Sequence, residues 1–219
     1  MANGKSLLRH ESRWAPALAI IAVLALLEVL PHHVQLMPRW VSHLVALAIL
    51  VPMVAVSVST GNARFWLRVE RVVIILFATA YVANTTLELA DMIGIITLHP
   101  PETRVISLLS SSLAIWVTNV LAFALLYWQL DRGGLFAWES GESFPDWLFP
   151  QASIPEVAPP DWRPQFLDYL ALAYNTATAF SPTDVLPLSR RAKMLMTLES
   201  GISLLTLVIV AARAVNALP

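Results

Sequence analysis

The chain has 219 residues, of which 57% are hydrophobic and 13% charged, with a mean hydropathy of +0.66. Soluble domains carry about 25% charged residues, so this composition excludes a soluble fold. A formal net charge of −1 excludes the concentrated basic face of a nucleic-acid binder, and the lack of cysteine excludes disulfides, thiolate metal sites and cysteine nucleophiles.

The first element is a basic stretch (Lys5, Arg9, Arg13) leading into an apolar run. A signal peptide begins this way. The run ends at Glu28 and Pro31 with no A-x-A site after it, so it is read as a retained span. A helix needs roughly 20 apolar residues to cross the hydrocarbon core, and about 17 at least. Five segments meet this: 14–30, 40–58, 69–98, 105–130 and 192–218. Helix breakers separate them: Pro31 and Pro38, then Gly61 and Asn62, then Pro100 and Pro101. Pro52 falls inside the second span and bends it or ends its regular part.

The connection over 131–163 carries Pro145, Pro150, Pro155, Pro159 and Pro160 among Trp138, Trp147 and Trp162. It reads as irregular chain on the membrane surface, with its tryptophans at headgroup level. Residues 164–178 are apolar and aromatic but too short to cross, which fits a re-entrant half-helix. Asp161 or Asp168 favours its N-terminal end through the helix dipole. The expected fold is an all-α integral membrane protein. Five transmembrane helices form a single domain over 1–219, and a half-helix and loop at 164–188 lie between the fourth and fifth.

After the half-helix the chain reads Asn175-Thr176-Ala177-Thr178-Ala179-Phe180-Ser181-Pro182-Thr183-Asp184-Val185-Leu186-Pro187, then a basic cluster at Arg190, Arg191 and Lys193 before the last span. This order resembles the pore loop of the tetrameric potassium-channel superfamily, with Thr176, Thr178, Asp184 and Pro187 in register. The resemblance covers 164 to the C-terminus. It implies a channel-like protein, a homo-oligomer with a tetramer favoured, passing monovalent cations. Thr176, Thr178, Ser181, Pro182 and Thr183 would form the narrow part, with Asp184 at its mouth. The departure is equally plain. Potassium filters use Gly-Tyr-Gly to aim successive carbonyls at the ion, and Ser181, Pro182 and Thr183 stand there instead. Proline fixes φ near −65°, so the filter is not of potassium type.

A second resemblance runs through the whole chain. The Trp-Gln-Leu-Asp-Arg-Gly-Gly end of the fourth span, the Phe-Leu-Asp-Tyr-Leu of the half-helix and the late Ala-Arg-Ala-Val-Asn are similar to an uncharacterised family of five-span bacterial inner-membrane proteins. That likeness implies an architecture and a multi-pass place in the cell membrane, and no activity. The alternative to a channel is a non-conducting accessory protein, or one that binds a lipid or small ligand between its helices.

Polar residues inside spans are costly and usually face a cavity or a partner. Glu199, Ser203, Thr206 and Arg213 follow i, i+4, i+7 and i+14 and fall on one stripe of the last span. The stripe either lines a wetted cavity or packs against another helix through hydrogen bonds. In the third span Glu88 and Asp91 share a face. They form an ion or proton site, or an intramembrane ion pair with Arg213, whose depth from the same side matches. The fourth span places Ser107, Ser111, Ala114, Thr118 and Ala122 on one side, which reads as close helix packing.

His10, His32, His33, His43 and His99 read as interfacial, so no metal site and no cofactor is expected. There is no nucleophile–base arrangement, phosphate loop or H-E-x-x-H, and an enzyme is not expected. The positive-inside rule puts the N-terminus, the second loop (Arg64, Arg68, Arg71) and the half-helix in the cytoplasm. The potassium-channel resemblance implies the opposite side for the loop.

Overall fold

The structure is a computed structural model. It describes residues 14–29, 47, 51, 54, 63–98, 105–131, 145–154, 156, 158–159, 162–178 and 185–216. Within these the side chains of 27–29, 63–64, 67, 88, 90–98, 105–111 and 212–216 lie outside the description.

The described chain is mainly helical: α1 (Trp14–Val29), α2 (Ala63–Leu98), α3 (Val105–Leu130), the short α4 (Pro150–Ser153), α5 (Phe166–Thr178) and α6 (Arg190–Asn216). Two strands of two residues each, β1 (Trp147–Leu148) and β2 (Leu186–Pro187), pair antiparallel, with Trp147 opposite Pro187. Among the described residues three helices are long and apolar enough to cross a membrane, over Arg68–Leu87, Ser112–Leu130 and Arg190–Ala211. The first expected span appears as α1, whose apolar stretch Trp14–Leu26 is shorter. Most of the second, at 40–58, lies outside the described residues; Leu47, Val51 and Val54 are helical.

α3 is the central helix and packs against α1, α2, α5 and α6. Residues 122–127 are all buried, so α3 has no lipid-facing side over that stretch. A helix apolar all round belongs in such a position. The small-residue face behaves as expected where it is described: Thr118 and Ala122 are fully buried, and Thr118 donates to the Ala114 carbonyl at 2.6 Å. The outer helices show the reverse pattern, with Leu76 and Leu87 of α2 and Leu204, Leu207 and Val208 of α6 exposed. Lipid tails are as apolar as leucine, so helix association here rests on packing and hydrogen bonds rather than on exclusion of water.

One expectation needs correction. α2 begins at Ala63, so Arg64, Arg68 and Arg71 lie on the helix and not in a loop before it. Gly61 and Asn62 stop just short of its first residue, and nothing within 63–98 breaks it. Trp147, expected at headgroup level, packs inside the protein as part of β1. It is 1% exposed, tilted against Tyr127 at 4.8 Å and edge-to-face with Tyr169 at 6.5 Å, with its indole N–H donating to Met196 Sδ at 3.4 Å.

Hydrogen bonds draw the segment inward. The Asp131 carboxylate accepts the Asp146 backbone N–H at 2.7 Å and the Tyr169 hydroxyl at 2.6 Å. Arg191 grips the Asp146 carboxylate through Nε and Nη2 and donates to the Leu130 carbonyl at 3.2 Å. The Leu188 N–H donates to the Asp146 carbonyl at 2.8 Å. The end of α3, both strands and the start of α6 are thereby tied into one knot, and Phe149, packed on Tyr169 at 5.3 Å and on Trp162 at 5.9 Å, extends its aromatic layer.

Candidate pore-loop hairpin and buried polar network

α5 falls on the 164–178 segment expected to be a short helix: it has 13 residues and starts two after Pro164. Asp168, in its first turn, accepts the Gln165 backbone N–H at 2.7 Å. This is one half of a capping box, and it also sets a negative charge at the positive end of the helix.

Ring contacts fix its course. Phe166 meets Trp128 at 5.9 Å, near the end of α3, and Tyr174 meets Trp116 at 5.8 Å, near its middle. α5 therefore runs antiparallel to α3 and stops partway along it. At its tip Ser200 of α6 donates to the Thr176 carbonyl at 3.1 Å. β2 is nevertheless back beside β1 and Asp146, at the end where α5 began. Phe166 and Leu186 therefore lie at the same end of the bundle. About 13 helical residues descend roughly 20 Å, and the about eight steps from Thr178 to Leu186 reach at most roughly 28 Å, enough for the return.

Of the filter-like residues, Thr176 is buried and donates to the Leu172 carbonyl at 2.8 Å. Thr178 is half-buried and donates to the carbonyls of Tyr174 and Asn175 at 3.0 and 3.2 Å. Both hydroxyls turn back along their own helix. Ser181, Pro182, Thr183 and Asp184 lie outside the described residues, and so do the side chains of Glu88, Asp91 and Arg213.

The stripe on α6 is placed clearly. Glu199, Ser203 and Thr206 are 0, 1 and 3% exposed, and the first two face α3. The Tyr127 hydroxyl donates to Glu199 Oε2 at 2.5 Å. The Asn119 amide nitrogen donates to Ser203 Oγ at 3.1 Å and to the Glu199 carbonyl at 3.4 Å, and Thr206 donates to the Ile202 carbonyl at 2.8 Å. Of the two readings of this stripe, the helix-packing one describes its surroundings within one chain. Glu199 Oε1 and Asn119 Oδ1 are buried with no partner among the described residues.

Sequence reading does not single out Asn119, Tyr127, Ser200, Asp131 or Asp146. Asn119 carries a usable signal, being an amide in the middle of an apolar span. The others carry none, since each matters through a contact made far along the chain.

A third feature is an apolar groove of about 510 Å³ between α3 and α5, lined by Trp116, Val120, Leu121, Leu167, Leu170 and Tyr174 among others. Compared with protein-family models, curated proteins and solved structures, the chain matches none.

Proposed function

We propose that the protein is a pore-loop membrane protein that conducts monovalent cations as a homo-oligomer, a tetramer being favoured. The observation that carries this reading is the hairpin: a short helix that descends partway along α3, followed by a return to the same end and then a long apolar helix. Non-helical backbone at membrane depth is tolerated where it lines a cavity or is buried in protein. The C-terminal end of α5 carries partial negative charge toward the middle of the membrane and favours cations there.

In this reading Thr176, Thr178, Ser181 and Thr183 border the narrow part, and Asp184 stands at its mouth. One half-helix and one inner-type helix per chain enclose no path, so copies must assemble. The side of α6 available to a pore or to a neighbouring copy is its exposed one, with Leu204, Leu207 and Val208, because the Glu199 side is taken by α3. Purified protein in planar bilayers should give cation-selective current, reduced by Asp184→Asn, and its mass should be that of an oligomer. Absence of current in any cation gradient, together with a monomeric mass, overturns the proposal.

The groove between α3 and α5 favours a second reading, a non-conducting protein that holds a lipid acyl chain against Trp116 and Tyr174. Lipid retained through purification by a monomer, and lost when Ala171, which also lines the groove, is changed in Ala171→Trp, would support it.

A further inference from the structure

The α3–α6 interface holds a carboxyl that the pore-loop reading does not use. Glu199 is fully buried and lies within the apolar window Arg190–Ala211. One of its oxygens has a single neutral donor, the Tyr127 hydroxyl, and the other has none among the described residues. The Asn119 amide, which meets the Glu199 main-chain carbonyl, has the same defect: its nitrogen is engaged and its oxygen has no donor among the described residues. The α3–α6 interface thus holds two buried acceptors that are short of a hydrogen.

No cation among the described residues reaches the carboxyl. On α6, Arg191 lies about two turns away and is held by Asp146. On α2, Arg71 lies near enough to Arg191 for their charges to interact. Glu70 of α2 is buried, and the side chains of Glu88 and Asp91 are outside the description. On α5 and at the end of α3, Tyr169 and Asp131 hold each other. A carboxylate with one neutral donor and no cation is costly at this depth, by several kcal/mol. A hydrogen on Oε1 removes the charge and turns an orphan acceptor into a donor.

We propose that Glu199 is an intramembrane proton-binding site, with its hydrogen on Oε1 while Oε2 accepts from Tyr127. On release the proton passes to an entering water and the electron pair stays on Oε1. The charged form then needs water or a cation, which in this interface requires α6 to part from α3. Proton binding and the seating of α6 are linked at this one residue. The proposal stands independently of whether the protein conducts.

Infrared difference spectra of the reconstituted full chain at neutral pH test it. Wild type should show the carbonyl stretch of a carboxylic acid that is absent in Glu199→Gln and moves down in heavy water. Tyr127→Phe should keep that band and move it up, because the carbonyl oxygen loses its donor. A wild-type spectrum in which Glu199→Gln removes carboxylate stretches instead overturns the proposal. Should Glu199→Gln fail to fold, Tyr127→Phe decides alone: an unchanged acid-carbonyl region sinks the idea, and an upward shift sustains it.

Discussion

Arg191 and Asp146, 45 residues apart, meet in a forked ion pair in which the Arg191 Nε lies 2.8 Å from each Asp146 oxygen. The carboxylate is 4% exposed and the guanidinium 53%, so the two partners are not equivalent. Removing the arginine leaves a buried charge behind, and such a loss costs about 3–5 kcal/mol. Arg191→Ala should therefore lower the thermal stability of the detergent-solubilised protein sharply. Arg191→Ala combined with Asp146→Asn should recover part of the loss. A double variant no better than the single one would remove the ion pair from the account.

Tyr169→Phe takes one donor from the buried Asp131 carboxylate while leaving the ring in place. Leaving a buried acceptor short of a donor costs about 1–3 kcal/mol. The expected result is a lower unfolding midpoint with helix content unchanged by circular dichroism.

Trp147 and Trp162 differ in depth and should differ in cost. Trp147 is enclosed, and its replacement by Ala should cost about 3–5 kcal/mol. Trp162 is half-buried, and the same change there should cost clearly less. Equal losses in paired unfolding curves would contradict the placement of Trp147 in the aromatic layer.

Ser200→Ala removes the hydroxyl that holds the Thr176 carbonyl at the tip of α5. The global stability loss should be small, about 0.5–1.5 kcal/mol, yet hydrogen exchange in the last turn of α5 should accelerate. In the pore-loop reading, conductance changes as well. Exchange identical to wild type would show that the tie does not hold the hairpin.

Arg213 is expected to pair with Asp91 or Glu88, since all three lie at comparable depth from one side. Arg213→Ala should then destabilise more than Arg213→Ala with Asp91→Asn, as measured by the fraction surviving heating and gel filtration. The reverse order would separate these residues.

The long helices were legible because apolar runs and the breakers between them are local properties. The span at 105–130 coincides with α3 residue for residue, and Pro164 announces the start of α5 almost to the position. The knot at the end of α3 was not legible. Strands of two residues have no period to detect, and Asp131, Asp146 and Arg191 find one another only once the helices are packed. The α6 stripe was visible as periodicity, but a periodic face does not say whether water or another helix covers it. The Asn119 and Tyr127 contacts supply that answer for Glu199 and Ser203.

The central place of α3 has a consequence for how the protein is made. Its Asn119 amide and Tyr127 hydroxyl are matched by Ser203 and Glu199, which belong to the last described helix. About 60 residues separate the end of α3 from the start of α6, and a ribosome adding about 5–20 residues per second needs roughly 3–12 s for them. During that interval α3 sits in the bilayer with its polar groups turned toward lipid or whatever else is at hand. Chains cut short before α6 carry this exposure permanently.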